Sequence, residues 1–186
     1  MPTTRLTRWL QGSTLAAAAT LCVQAPLAAQ GTRPLDNPLI TETAVDHEKH
    51  GRAYTVHDIP TFAVREDGTV DWPTYSGFRR YHAECHTCHG PDGEGSSYAP
   101  PLKESVFQMS YYEFVGTVAG GRQVVGASDN NVMPSFGRNP NVMCYLDDIY
   151  TYLRARGADA IPRGRPSQKE RKVEAWAEAE DECMGF

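Results

Sequence analysis

Between residues 142 and 156 the apolar positions Leu146, Ile149, Tyr150 and Leu153 recur at the three- and four-residue spacing of one helical face. Asp147 and Asp148 lie early in this stretch and Arg154 and Arg156 late, as the helix dipole favours. The pattern predicts the strongest helix of the chain there, capped by Asn141 and ended by Gly157. A second apolar stripe, Tyr75, Phe78 and Tyr81, predicts a helix over 74–84, with Asp71 as cap and Pro73 in the first turn. Gly77 sits inside it, where glycine costs roughly 1 kcal/mol relative to alanine. Close approach of another helix would account for it. Ser110 and Glu113 form a capping box ahead of a helix over 111–119, which Gly120 and Gly121 stop. A second box, Ser167 to Glu170, predicts a short helix to about residue 181.

Between these stripes the pattern is polar and punctuated. Residues 90–95, Gly-Pro-Asp-Gly-Glu-Gly, read as a loop that Ala99-Pro100-Pro101-Leu102 closes. Residues 126–131 read as another loop, leading into Val132-Met133-Pro134. Residues 30–70 are polar and proline-broken, which predicts an irregular arm that wraps the core or is partly disordered, with short extended pieces at 53–56 and 61–64 and a turn at 66–69. The first 29 residues have a basic start at Arg5 and Arg8, a short apolar run from Leu15 to Val23, and small residues at Ala28 and Ala29. That is the pattern of a cleaved secretory signal peptide, which predicts a periplasmic protein. Nothing later is long and apolar enough to insert in a membrane. The expected division is therefore signal peptide 1–29, arm 30–70, a main domain over 71–160 and a tail over 161–186. Losing Arg5 and Arg8 takes the formal charge from −5 to −7. An acidic chain does not suggest nucleic acid as a partner. It suits docking to a protein with a basic patch.

The chemistry lies in Cys85-His86-Thr87-Cys88-His89. Two thiols three positions apart can add to the two vinyl groups on one edge of a porphyrin, and the next residue brings an imidazole under the iron. The spacing Cys-x-x-Cys-His is the attachment signal for haem c. A thioredoxin-like redox pair and half a zinc site are the rivals. The adjoining His89 and the lack of a second Cys-x-x-Cys argue against both.

The order helix, Cys-x-x-Cys-His, glycine-rich loop, Pro-x-Leu, helices, Met-Pro and aromatic C-terminal helix resembles the all-α class I cytochrome c fold. That fold packs three to five helices around one covalently bound haem. The resemblance implies that Gly77 and Tyr81 pack against Ile149 and Tyr152, and that the Pro100 carbonyl accepts the other N–H of the proximal His89. It also implies a sixth iron ligand. Met133 lies in a loop 44 positions past His89 and precedes a proline, as the family's ligand does. Met133 as core filler, or a ligand from His57 or His82, are the alternatives; Met109 lies just behind the proximal loop, and Met143 is expected to pack.

The stretches from Asp71 to His82, Gly95 to Pro100, Asn141 to Tyr150 and Gly164 to Pro166 narrow the likeness. They resemble methanol-metabolism cytochromes with four cysteines in the mature chain, similar to the cytochrome c-L group. Such a carrier would take single electrons from a pyrroloquinoline-quinone methanol or alcohol dehydrogenase and pass them to another cytochrome c or an oxidase. A haem enzyme or gas sensor with an open sixth position, and a structural haem subunit, are the alternative functions. No nucleophile or acid–base pair stands in a catalytic context, so the chain does not read as an enzyme. Cys144 and Cys183 remain as an even pair, which in an oxidising compartment favours a disulfide over two free thiols. Arg79, Arg80, Arg122 and Arg138 read as surface charges or as partners of haem propionates, and His47, His50 and His57 as exposed residues or a minor metal site.

Overall fold

The computed structural model describes residues 37–125 and 130–185. The expected signal peptide lies outside them. Helices α1 (Pro38–Thr41), α2 (Trp72–Glu84), α3 (His86–His89), α4 (Leu102–Ser105), α5 (Tyr111–Gly120), α6 (Pro140–Met143), α7 (Leu146–Gly157) and α8 (Glu174–Met184) carry the architecture. Strands β1 (His47–Lys49), β2 (Arg52–Tyr54) and β3 (Pro60–Thr61) form an antiparallel meander, and β4 (Arg122–Val125) pairs with β5 (Asn130–Met133) in a hairpin.

The centre is the crossing of α2 on α7. It rests on Gly77. A β-carbon there would fall onto the Asp148 carbonyl and stand 2.8 Å from the Tyr152 β-carbon. Glycine's helix cost is thus offset by a backbone approach that any side chain would block. Tyr81, Ile149, Tyr152 and Leu153 fill the crossing and are fully buried. The Tyr81 and Tyr152 rings lie 5.6 Å apart. Asp71 caps α2 through the Thr74 N–H at 2.9 Å, and its other carboxylate oxygen accepts from the Ala63 N–H at 2.9 Å, tying the arm to the helix.

Three expectations need correction. The helix over 142–156 is two helices. Asn139, not Asn141, is the cap, its side chain accepting from the Asn141 N–H at 3.0 Å. Pro140 prefers the first helical position, where its missing N–H costs nothing, and this moves the cap upstream. The short helix then ends, and α7 restarts at Leu146. Ser167 and Glu170 open no helix. The Glu170 N–H donates to the Val70 carbonyl at 2.8 Å and its carboxylate pairs with Arg65, so the segment lies extended along the arm and α8 begins only at Glu174. The arm carries a short helix and a small meander within its irregular path, and over its described length it wraps the core rather than standing free. Arg154, fully buried on α7, donates to the carbonyls of Ile40 and Glu42 and stacks on the Phe107 ring, and Arg52 reaches Asp148 at 2.7 Å. Burial raises the Asp148 carboxyl, and the Arg52 guanidinium is the main opposing pull. Two buried cations thus bind the arm to the centre.

The tail packs through Trp176, buried at an edge-on contact with Trp72 at 5.8 Å, with its indole N–H 3.4 Å from Asp148 Oδ1. Val173, three positions before Trp176, is exposed. Cys144 and Cys183 form a disulfide, with Cα atoms 5.7 Å apart. Among the described residues no helix is long and apolar enough to cross a membrane.

Candidate haem-attachment site

Cys85 ends α2, its N–H donating to the Tyr81 carbonyl at 2.9 Å, and at once starts α3. The Cys88 and His89 N–H groups both donate to the Cys85 carbonyl, at 3.2 and 3.0 Å. The whole attachment stretch is therefore one tight helical turn. Residues three apart on such a turn share a face, so both thiols point the same way. Both are free, Cys85 half-buried and Cys88 exposed. Burial, and then the charge of Glu84, pushes the Cys85 thiol up to about 12. Thiol-exchange enzymes need the opposite shift.

His89 is buried, and its Nδ1 lies 3.0 Å from the Pro100 carbonyl oxygen. A carbonyl only accepts, so the ring proton belongs on Nδ1 and Nε2 keeps its lone pair for a metal. The loop between them is held shut from behind. The Tyr81 hydroxyl donates to the Gly90 carbonyl at 2.6 Å and accepts from the Gly93 N–H at 3.1 Å. Gly95, at φ +82°, donates to the His89 carbonyl at 2.8 Å and passes so close to Pro101 that a β-carbon would sit 2.8 Å from its nitrogen. Ser96 reaches back to the Cys88 carbonyl. Asp92 is a positioning residue that the sequence reading passed over. It is buried at φ +58° and accepts from the Tyr152 hydroxyl at 3.2 Å and the Gly164 N–H at 3.0 Å. Burial opposes its ionisation, but those two donors and Arg163 together hold its carboxyl below the ordinary value. One carboxylate thus joins the proximal loop, α7 and the C-terminal linker.

Met133 closes β5 rather than lying in a free loop. It is half-buried against the edge of the core, and its register partner is Arg122. Pro134 ends the strand. The Ser135 hydroxyl and the Phe136 and Gly137 N–H groups then bond to carbonyls at the end of α5, at 2.5, 3.0 and 3.0 Å. Met109 and Met143 pack on the edge of the same core. His82 has both ring nitrogens engaged, Nδ1 at 2.8 Å from the Phe78 carbonyl and Nε2 at 3.5 Å from Asp92. His57 is exposed in the arm. Arg80 stacks over Tyr145 at 3.5 Å, while Arg79, Arg122 and Arg138 are exposed. Among the described residues no His, Cys, Asp or Glu cluster could hold a separate metal ion, so His47, His50 and His57 do not form one.

No family model matches the chain. It is 57% identical over 139 residues to cytochrome c-553I of Paracoccus denitrificans, covering 75% of this chain and 62% of that protein. It therefore spans less than two thirds of that relative. It is 40% identical over 96 residues to cytochrome c-555 of Methylococcus capsulatus, covering 51% of this chain and 72% of that protein. Among solved structures it superposes on the c-type cytochrome XoxG from Methylobacterium extorquens AM1 with a TM-score of 0.72 and 52% identity, over 80% of this chain and 91% of that one. The fold is the class I cytochrome c fold, here with a β-meander and a hairpin beside the helices. Its residues fit the group the family carries: two free thiols on one turn, and beside them a buried imidazole whose proton is already committed to a carbonyl. The chain belongs to the c-type cytochromes, electron-transfer proteins with covalently bound haem c.

Proposed function

We propose that this cytochrome is a periplasmic carrier that takes single electrons from a pyrroloquinoline-quinone methanol or alcohol dehydrogenase and delivers them to another cytochrome c or an oxidase. The observation that carries the reading is the 52% identity to XoxG across 91% of that cytochrome. The stretches in the sequence that resemble methanol-metabolism cytochromes support it. The finer likeness to the cytochrome c-L group belongs to the same proposal. Residues 1–29 direct export, 30–70 form the arm, 71–160 the cytochrome domain and 161–186 the tail.

In this reading Cys85 and Cys88 would anchor the haem and His89 Nε2 would be the nitrogen offered to its iron. The haem, when bound, supplies one-electron iron chemistry, and the protein sets its potential. Pro100 fixes the His89 tautomer and strengthens it as a donor. Met133 would offer the iron a thioether, which would raise its potential above that of a bis-histidine site. Tyr81 and Asp92 keep the proximal loop rigid.

Rapid mixing tests the partner. A purified calcium- or lanthanide-containing quinoprotein methanol dehydrogenase, supplied with methanol, is expected to reduce the oxidised cytochrome without an artificial mediator. If no such dehydrogenase reduces an intact holoprotein, the donor assignment fails.

A further inference from the structure

His82 stands on α2 between the proximal loop and solvent, and its two ring nitrogens face different groups. Nδ1 lies 2.8 Å from the Phe78 carbonyl oxygen, so that nitrogen carries the proton. Nε2 then keeps its lone pair, and the Asp92 N–H donates to it at 3.4 Å. The Asp92 carboxylate is as near, with Oδ1 3.5 Å from the same nitrogen. One ring nitrogen therefore faces both a donor and an anion of a single residue. A neutral ring accepts from the N–H; a protonated ring donates to the carboxylate. Packing alone does not call for an imidazole here. The ring lies among Phe78, Tyr81 and Tyr152, with centroids 4.3, 5.1 and 6.0 Å away, where an apolar ring would also pack. Yet 22% of the side chain remains in solvent, which gives protons access to it.

Most groups around this ring keep one charge state near neutral pH. Asp92 is held ionised against its burial by the Gly164 N–H, the Tyr152 hydroxyl and Arg163. Burial raises the Tyr81 and Tyr152 hydroxyls, so both stay neutral. Arg163 and Arg79, the latter exposed three positions before His82 on α2, stay charged. His86 titrates in the same range as His82. Its exposed ring lies 5.4 Å from that of His82, inside the attachment turn.

We propose that His82 is a redox-linked proton site, which takes one proton from solvent when the cytochrome gains its electron and returns it when the electron leaves. The inference rests on haem attachment at Cys85 and Cys88 and on no particular electron donor. The link is electrostatic. Reduction adds one negative charge beside the attachment turn, which reaches His82 through His86 and through the loop that Asp92 ties down. A nearby negative charge favours the imidazolium, and the imidazolium favours the electron by the same free energy. The reduced protein therefore binds the proton more tightly. The midpoint potential is highest at pH values below the titration of His82 in the oxidised form. It falls as pH rises through that titration and levels off above the titration in the reduced form.

The test is the midpoint potential of the holoprotein from about pH 5 to 8, with NMR titration of the His82 ring in both oxidation states. The reduced form is expected to bind the proton about threefold more tightly or better, which at 59 mV per tenfold makes the potential fall by about 30 mV or more across the window. His82→Gln keeps a helix former and a hydrogen-bonding side chain but cannot titrate, and should abolish that fall while leaving the low-spin spectrum unchanged. Asp92→Asn removes the anion and should move the fall to lower pH, because the imidazolium loses its partner. His86→Gln should leave it in place. Should His82→Gln fail to attach haem, the two wild-type NMR titrations decide alone. Equal proton affinity of His82 in the two states overturns the proposal, as does a wild-type fall in His82→Gln. Loss of the fall in His86→Gln overturns it by moving the proton to His86. A changed iron spectrum in His82→Gln overturns it by making His82 a ligand.

Discussion

Replacing Met133 with alanine is expected to leave the haem covalently attached while its midpoint potential falls on the order of a hundred millivolts, since axial ligands move haem potentials over roughly 0.8 V. The attachment turn is built by Cys85, Cys88 and His89, and its hydrogen bonds run to Tyr81, Gly95, Ser96 and Pro100, none of them a residue of the hairpin. The sulfur can therefore be removed without disturbing the proximal half. Its replacement from nearby is hindered. His82 has both ring nitrogens engaged, and Met109 and Met143 are packed against the core. The variant should lose the weak far-red sulfur–iron band, turn high-spin and bind carbon monoxide in the ferrous state. An unaltered spectrum and potential would show that Met133 is not the ligand.

The largest stability effect is expected at the Cys144–Cys183 bond, which joins residues 39 apart in the chain. In the chain-entropy model a loop of that length contributes about 4 kcal/mol by constraining the unfolded state. At about 2–4 °C per kcal/mol for a protein of this size, Cys144→Ser with Cys183→Ser should lower the melting temperature by about 8–16 °C. The tail should nonetheless stay docked at room temperature. Trp176 remains packed on Trp72, and the Tyr145 hydroxyl still donates to Glu180 at 2.5 Å. Among the described residues the tail and the attachment turn share no hydrogen bond, so the haem spectrum should not change. The variant serves as its own check: equal melting temperatures for it and the oxidised wild type would mean that the bond constrains nothing. Titration of the denatured, unreduced wild type should find no free thiol.

The parts of the site that were legible in the sequence are those fixed by local spacing. The attachment turn reads directly, because Cys85, Cys88 and His89 are consecutive groups on one helical turn. Gly77 announced the α2–α7 crossing, since a glycine inside an apolar stripe has few other uses. The capping box at Ser110 formed as expected, because its partners lie three residues apart and nothing distant competes. The Ser167 box failed for the converse reason: the Val70 carbonyl, 100 positions away (170 − 70), captures the Glu170 N–H. Asp148 read only as an acidic residue early in a helix, as the dipole favours, yet it is the buried partner of Arg52 from the arm. Asp92 looked like an ordinary turn residue and ties three segments together. Such roles depend on contacts between distant segments, which no local pattern encodes. The hairpin was hidden because its polar and apolar positions are too few to distinguish four-residue strands from loop.

The central claim is that the haem iron is closed on both sides and only passes electrons. A potentiometric titration of the purified holoprotein, followed optically and repeated under carbon monoxide, tests it most directly. The account predicts a single one-electron wave, low-spin spectra in both oxidation states and no shift of the wave under carbon monoxide. A high-spin ferrous form that binds carbon monoxide at once would contradict it, and would place this chain among haem proteins with an open reactive position.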